Sequence, residues 1–131
     1  MSTSAAEDVI VAYFEAINGE DWAALQQVYA TDAVVSPPGG EPIRGRPAIV
    51  AWYQAVFRRF PDHTDTPVRT IVAADGGAAA VEIEFTGRTT AGRQFAVTAV
   101  DIFDIADGRI TAMRSWLDTA AFAAATQDVT P

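Results

Sequence analysis

The chain has no cysteine and no lysine. Without thiols, neither a disulfide framework nor a thiolate metal site can form. All nine basic residues are arginines, scattered from Arg44 to Arg114 against seventeen acids, for a net charge of −8. No basic stripe results, so a phosphate backbone finds no surface to offset its charge, and nucleic acid is not an expected partner. The same acidity disfavours anionic membranes. No apolar run approaches a membrane span, and Met1 to Asp8 lacks the basic start and apolar core of a secretory leader, so a soluble, cytoplasmic protein is expected. There is one histidine, His63. A glycine-rich phosphate loop, a nucleophile elbow and a helix with metal-ligand spacing are all missing, so neither metal nor cofactor is expected.

What is present is 131 residues, half of them apolar, enough for a single domain that buries its own core. The core is expected over about residues 5–125, with a loose tail from Thr126 to Pro131. Ser4 and Glu7 have capping-box spacing, and Val9, Ile10, Tyr13, Phe14 and Ile17 then recur at helical period up to Asn18-Gly19. Asp21 caps a second helix that carries Trp22, Leu25, Val28 and Tyr29 and ends near Thr31-Asp32. A brief strand, Ala33 to Ser36, leads into the loop Pro37-Pro38-Gly39-Gly40-Glu41-Pro42. Gly45-Arg46-Pro47 opens a third helix, with Ile49, Trp52, Tyr53, Val56 and Phe57 on one side, and Phe60-Pro61 ends it.

From Pro67 the period changes to two. Strands are predicted near Val68–Ala74, Ala78–Thr89, Gln94–Ile105 and Arg109–Asp118, separated by Asp75-Gly76-Gly77, Ala91-Gly92 and Asp107-Gly108. A short alanine-rich helix from Thr119 to Ala125 closes the chain. Three helices followed by a meander predict an α+β fold, with the helices packed on one face of a strongly curved antiparallel sheet. Such a cone leaves an apolar pocket between the two layers.

Asp101 interrupts the apolar strand face of Phe95, Val97, Ala99, Phe103 and Ile105, so alternation turns it inward. A carboxylate there must be paired, for instance with Arg114, or protonated, and a protonated carboxyl donates a hydrogen bond. The three tyrosines, Tyr13, Tyr29 and Tyr53, fall on segments read as helical that cover such a strand. They are either core aromatics with wet tips or hydroxyls aimed at Asp101. Glu41 is a solvated loop residue or a group at the pocket mouth. Asp118 caps the terminal helix. His63, in Asp62-His63-Thr64-Asp65, reads as an exposed connector. Glu82 and Glu84 alternate with Val81, Ile83 and Phe85 and so face away from the pocket, toward water or a partner subunit.

Several short stretches arrive in a recognisable order: Ala12-Tyr13, Val28-Tyr29-Ala30-Thr31-Asp32-Ala33, Pro42-Ile43-Arg44-Gly45-Arg46, Ala51-Trp52-Tyr53, Val100-Asp101-Ile102 and Asp107-Gly108-Arg109-Ile110. Over about Glu7 to Leu117 the chain resembles the delta-5-3-ketosteroid isomerases. More broadly it resembles the nuclear-transport-factor-2-like superfamily with its SnoaL-like, polyketide-cyclase branch. In those isomerases a tyrosine and a neutral aspartic acid stabilise a dienolate. The resemblance assigns these roles to Tyr13 and Asp101, supported by Tyr29 and Tyr53, and implies pocket walls of Val81, Ile83, Phe85, Ala99, Met113, Ser115 and Leu117.

The isomerases' proton-shuttling aspartate follows the first short strand. Here that place is Ser36 or Pro37, and neither accepts a proton at neutral pH. The histidine and aspartate of the cyclase branch fall at Met113 and Ser115. The expected function is therefore a small-molecule isomerase or cyclase-type enzyme that stabilises the enolate of an apolar carbonyl compound, with the proton carried by Glu41, by a water on Ser36 or by the substrate. Two alternatives remain: a binding or accessory module for an apolar carbonyl or phenol ligand that has lost the base, and an association domain. The resemblance also implies a homodimer.

Overall fold

The computed structural model describes residues 3–127. Helix α1, Thr3–Asn18, starts before the expected cap Ser4, whose side chain lies outside the described set. It buries Val9, Ile10, Tyr13, Phe14 and Ile17, as its period predicts. Helix α2, Trp22–Val28, is capped by Asp21, whose Oδ1 accepts from the Ala24 N–H at 3.0 Å.

Here the chain departs from its helical reading. Tyr29 adopts extended geometry (φ −92°, ψ 140°) and opens strand β1, Tyr29–Ser36, four residues before the expected start. Two interactions hold it there. Tyr29 pairs with Ile110, and its carbonyl accepts from Arg46 Nε and Nη2 at 3.1 and 2.8 Å. A two-residue strand that the sequence did not announce, β2 (Ile43–Arg44), folds back on β1 across the proline-rich loop. Helix α3, Arg46–Arg58, has Pro47 in its first turn, as anticipated.

Strand β3, Asp62–Val72, begins six residues earlier than its apolar alternation indicates. It lies at the edge of the sheet, where proline is tolerated, and the register shift against its neighbour falls at Pro67/Arg69. The strands β4 (Ala78–Arg88), β5 (Gln94–Ala106) and β6 (Arg109–Leu117) follow the predicted meander. Asp107 and Gly108, at φ 52° and 73°, make the two-residue turn between β5 and β6. Asp118 caps α4, Thr119–Thr126, by accepting from the Ala121 N–H at 2.9 Å. Thr126, expected in the loose tail, ends this helix and is buried; the rest of that tail, from residue 128, lies outside the described residues.

The strands form one curled sheet in the order β2-β1-β6-β5-β4-β3. Every pairing is antiparallel except β1 with β6, which is parallel because the chain returns to β1 only after the whole meander. One core cluster joins α1, α2 and α3 to the inner face of β1, β4, β5 and β6. Glu82 and Glu84 are exposed, as alternation predicts, on the outer side. Among the described residues no helix is long and apolar enough to cross a membrane.

Candidate functional site

A cavity of about 370 Å³ opens between the helices and the curled sheet, within the usual range of small-ligand pockets, about 300–1,000 Å³. Its walls are mainly apolar: Ile83 and Phe85 from β4, Ala99 from β5, Met113 and Leu117 from β6, with Trp52, Val56 and Phe57 from α3. Pro37, Pro38 and Gly40 of the proline-rich loop and Thr119 and Phe122 of α4 complete it. Three charged residues line it: Asp101, Asp65 and Arg59.

Asp101 points inward from the middle of the sheet and is 4% exposed. Its cross-strand neighbours are Val81 and Ser115. Burial raises its carboxyl to about 6, against a smaller opposing effect of hydrogen bonding from the Ser115 hydroxyl. Arg114 is not its partner; Arg114 Nη1 donates to Asp104 Oδ2 at 3.3 Å. Of the two states open to Asp101, the structure favours a proton affinity raised by desolvation over an ion pair.

The tyrosines form a chain. The Tyr53 hydroxyl sits between those of Tyr13 and Tyr29, at 2.7 and 2.8 Å. Tyr29, on β1, stands behind the other two and does not line the cavity, whereas Tyr13 and Tyr53 do. Burial pushes all three phenols up, so each stays neutral across the physiological range. Tyr13 also packs edge-on against Phe103, with ring centroids 5.0 Å apart.

The other sequence candidates divide. Ile83, Phe85, Ala99, Met113, Ser115 and Leu117 line the cavity. Val81 is fully buried beneath it, in the core, without reaching its surface. Ser36, half-buried at the end of β1, and Glu41, exposed in the loop, are both outside the lining. The chain turns through Pro37 and Pro38, and those residues face the cavity instead.

Sequence reasoning missed Asp65. It lies on β3, in the stretch read as a connector, and its carboxyl joins the lining of the cavity. The Asp65 Oδ1 atom is shielded from solvent and has no hydrogen-bond partner. Burial, then the charge of Asp101, raises this carboxyl to about 7. Its backbone is clamped by one side chain of α1: Asn18 Nδ2 donates to the Asp65 carbonyl at 2.9 Å, and the Asp65 N–H donates to Asn18 Oδ1 at 2.8 Å. His63 is not an exposed connector either. Its side chain is 2% exposed, its ring stacks on Phe57 with centroids 3.9 Å apart, and Nε2 lies 2.9 Å from Glu20 Oε2. The signal for both was the spacing of two, since residues 63 and 65 share one strand face.

Among the described residues no three His, Cys, Asp or Glu side chains group as metal ligands. The arrangement can seat a small apolar molecule, donate hydrogen bonds to one of its oxygens from Tyr13 and a protonated Asp101, and exchange a proton with a carboxyl.

Comparison with known proteins gives a consistent picture. The model of the SnoaL-like domain matches residues 10–113. A steroid delta-isomerase of Nocardioides simplex is 35% identical over 111 residues, covering 82% of this chain and 85% of its own. A candidate polyketide cyclase from Xanthomonas campestris pv. campestris superposes with a TM-score of 0.89 at 20% identity, over 95% of this chain and 98% of that one. At that identity the likeness is one of fold. Another, from Sinorhizobium meliloti, has a TM-score of 0.71 at 30% identity, over 82% of this chain and 93% of its own.

Proposed function

The chain belongs to the SnoaL-like family, and from that premise we propose that it is a small-molecule isomerase or cyclase-type enzyme that stabilises the enolate of an apolar carbonyl compound. The observation that carries this reading is the meeting of Tyr13 and Asp101 in the wall of one apolar cavity, with Tyr53 and Tyr29 behind. The relative from Nocardioides simplex supports an unsaturated ketosteroid as the first substrate to try.

The chemistry follows from hydrogen-bond directions. The Tyr29 hydroxyl lies behind the cavity wall, with that of Tyr53 2.8 Å away. If Tyr29 donates to Tyr53 and Tyr53 to Tyr13, the Tyr13 proton is left for the cavity, and each donation polarises the next. A carbonyl oxygen seated there gains negative charge as its α-proton leaves, and it accepts from Tyr13 and from Asp101 in its protonated state. Donors placed where charge develops stabilise the enolate more than the ketone, which lowers the barrier. The developing oxyanion in turn raises the proton affinity of Asp101 and so selects the state that donates.

Binding of nitrophenols tests the reading, because a phenolate oxygen needs donors only. The wild type is expected to bind them, and Tyr13→Phe or Asp101→Ala to weaken binding by about 10–100-fold, the worth of a hydrogen bond to a charged group. A wild type that binds none, or an Asp101→Ala protein that binds equally well, removes the oxyanion site. Phenol binding with no turnover of any enolisable ketone supports the accessory-module reading instead.

A further inference from the structure

We infer that Asp65 is the general base of this cavity, the group that takes the proton from the carbon beside the substrate carbonyl and returns it to the product. The inference rests on the enolate reading above and supplies the proton acceptor that reading lacks. The places where the isomerase resemblance puts a base hold none, since Ser36 does not line the cavity and Pro37 has no acceptor side chain, and the loop candidate Glu41 is exposed outside the lining. Apart from Asp101, Asp65 is the one carboxyl in the lining among the described residues.

Three observations set Asp65 apart from a structural aspartate. Its carboxyl caps no helix and joins no ion pair among the described residues. Its Oδ1 is sealed from solvent without a donor, although buried polar atoms are almost always satisfied, and an exception needs an explanation. A carboxylate oxygen shielded from water and without a donor is a stronger base than a solvated one, and a substrate C–H can approach it. Finally, its backbone is fixed on both its N–H and its carbonyl by Asn18, which takes the place of the missing outer strand. A base needs that fixing, since proton transfer depends on sub-ångström placement.

The titratable and charged groups that line the cavity with Asp65 are Tyr13 from α1, Tyr53 from α3, Arg59 just beyond α3 and Asp101 from β5, and of these Tyr13 and Asp101 interact with it electrostatically. Burial raises its proton affinity toward neutrality, where a general base is most effective, and the further rise caused by an ionised Asp101 is absent from the reactive form, in which the pair's proton sits on Asp101. The step balances within the site. The Asp65 carboxylate accepts the α-proton, the C–H electron pair becomes the C=C bond, and the carbonyl π pair moves to oxygen, where Tyr13 and Asp101 donate to it. The same proton is then delivered to the far carbon of the dienolate, and Asp65 is regenerated as a carboxylate. No oxidant or second substrate is consumed.

The test is proton exchange in D2O, read by NMR on 2-tetralone and by conjugation of a β,γ-unsaturated ketosteroid, alongside the nitrophenol titration. The wild type is expected to exceed buffer on at least one ketone. Asp65→Asn should lower that rate by about 10²–10⁴-fold, while binding nitrophenolates at least as tightly, because a nearby negative charge has been removed. Asp65→Glu should recover part of the rate. An Asp65→Asn protein that retains the wild-type rate, or a wild type that accelerates neither ketone, overturns the inference. Loss of exchange in Asp65→Asn from a wild type that binds no phenol would keep Asp65 as the base and remove only the oxyanion site.

Discussion

Two strands deliver a carboxyl to the same cavity, and they do so by opposite means. β5 lies inside the sheet, paired on both sides, so Asp101 is flanked by ladder neighbours beneath the helices and eased only by Ser115. β3 is an edge strand with one neighbour, and its free side at Asp65 is occupied by Asn18 of α1. Both carboxyls end with raised proton affinity, to about 6 and about 7. In the interior strand the backbone is held by two ladders; at the edge, the free side of the backbone depends on a helix being docked. The charge of Asp101 adds to the burial of Asp65, so the edge carboxyl keeps its proton to higher pH than the interior one.

The largest consequence is a stability cost that grows with pH. A carboxyl whose folded pKa lies above its unfolded value binds protons more tightly when folded. Its favourable contribution is complete below the unfolded pKa and is lost as pH rises through the folded one. For Asp65, with a shift from 3.8 to about 7, the window runs between those values. Asp65→Asn is therefore expected to stabilise the protein above that window by up to about 4 kcal/mol, at 1.36 kcal/mol per unit, and Asp101→Asn by up to about 3 kcal/mol, from its smaller rise. Urea melts across pH check both. At acidic pH the variants should converge on the wild type, and equal stability at every pH would break the comparison by showing that neither carboxyl is strained.

The same contrast decides what the sequence disclosed. Asp101 was legible because it breaks a run of inward apolar residues, and only a strand buried along its length writes such a run. Asp65 was hidden because β3 presents few apolar residues: its inward positions near the cavity are His63 and Asp65, and hydrophobic alternation cannot register polar side chains. Pro61 and Pro67 added to the appearance of a connector, although an edge strand tolerates proline. The helical reading of Tyr29 failed for a related reason, since its pairing with Ile110 on β6 and the Arg46 donors are contacts made from far along the chain. Glu41 is close to the expected base position in sequence, yet it is exposed and outside the cavity lining. The order of elements, the meander and most pocket walls were legible because each depends on local period and turn chemistry.

Gly87 offers a way to disturb the edge strand and one end of β5 while leaving the stretch around Asp101 alone. It lies opposite His63 on β4, and a Cβ there would collide with the Asp62 carbonyl oxygen, with Phe95 Cζ at 3.1 Å. Backbone on one side and a buried ring on the other leave no easy relief, so Gly87→Ala should destabilise by about 1–3 kcal/mol, as overpacking does. The sharper readout is selective. Amide exchange protection should fall along Asp62–Thr66 and persist in β5 around Asp101, with ketone exchange reduced and phenol binding retained. Equal loss of protection in both strands would mean that β3 and β5 open as one unit.

The smallest expected effect isolates the clamp itself. Asn18 is exposed, so replacing it leaves no cavity in the core; what goes is a pair of hydrogen bonds to the Asp65 backbone, at 2.9 and 2.8 Å. A typical hydrogen bond is worth about 1 kcal/mol net, and water can take over both backbone groups at an edge, so Asn18→Ala should lower stability by only about 1–2 kcal/mol. If Asn18 serves only the fold, ketone exchange by the folded protein will be unchanged. If it fixes the Asp65 carboxyl, exchange will fall with phenol affinity constant. Asn18→Asp separates the clamp's two bonds, because a carboxylate still accepts from the Asp65 N–H but cannot donate to its carbonyl. The new charge also raises the proton affinity of Asp65 further, so the pH at which exchange reaches half its maximum should move up. An Asn18→Asp protein with an unmoved pH profile would show that the group titrating in the rate is not Asp65.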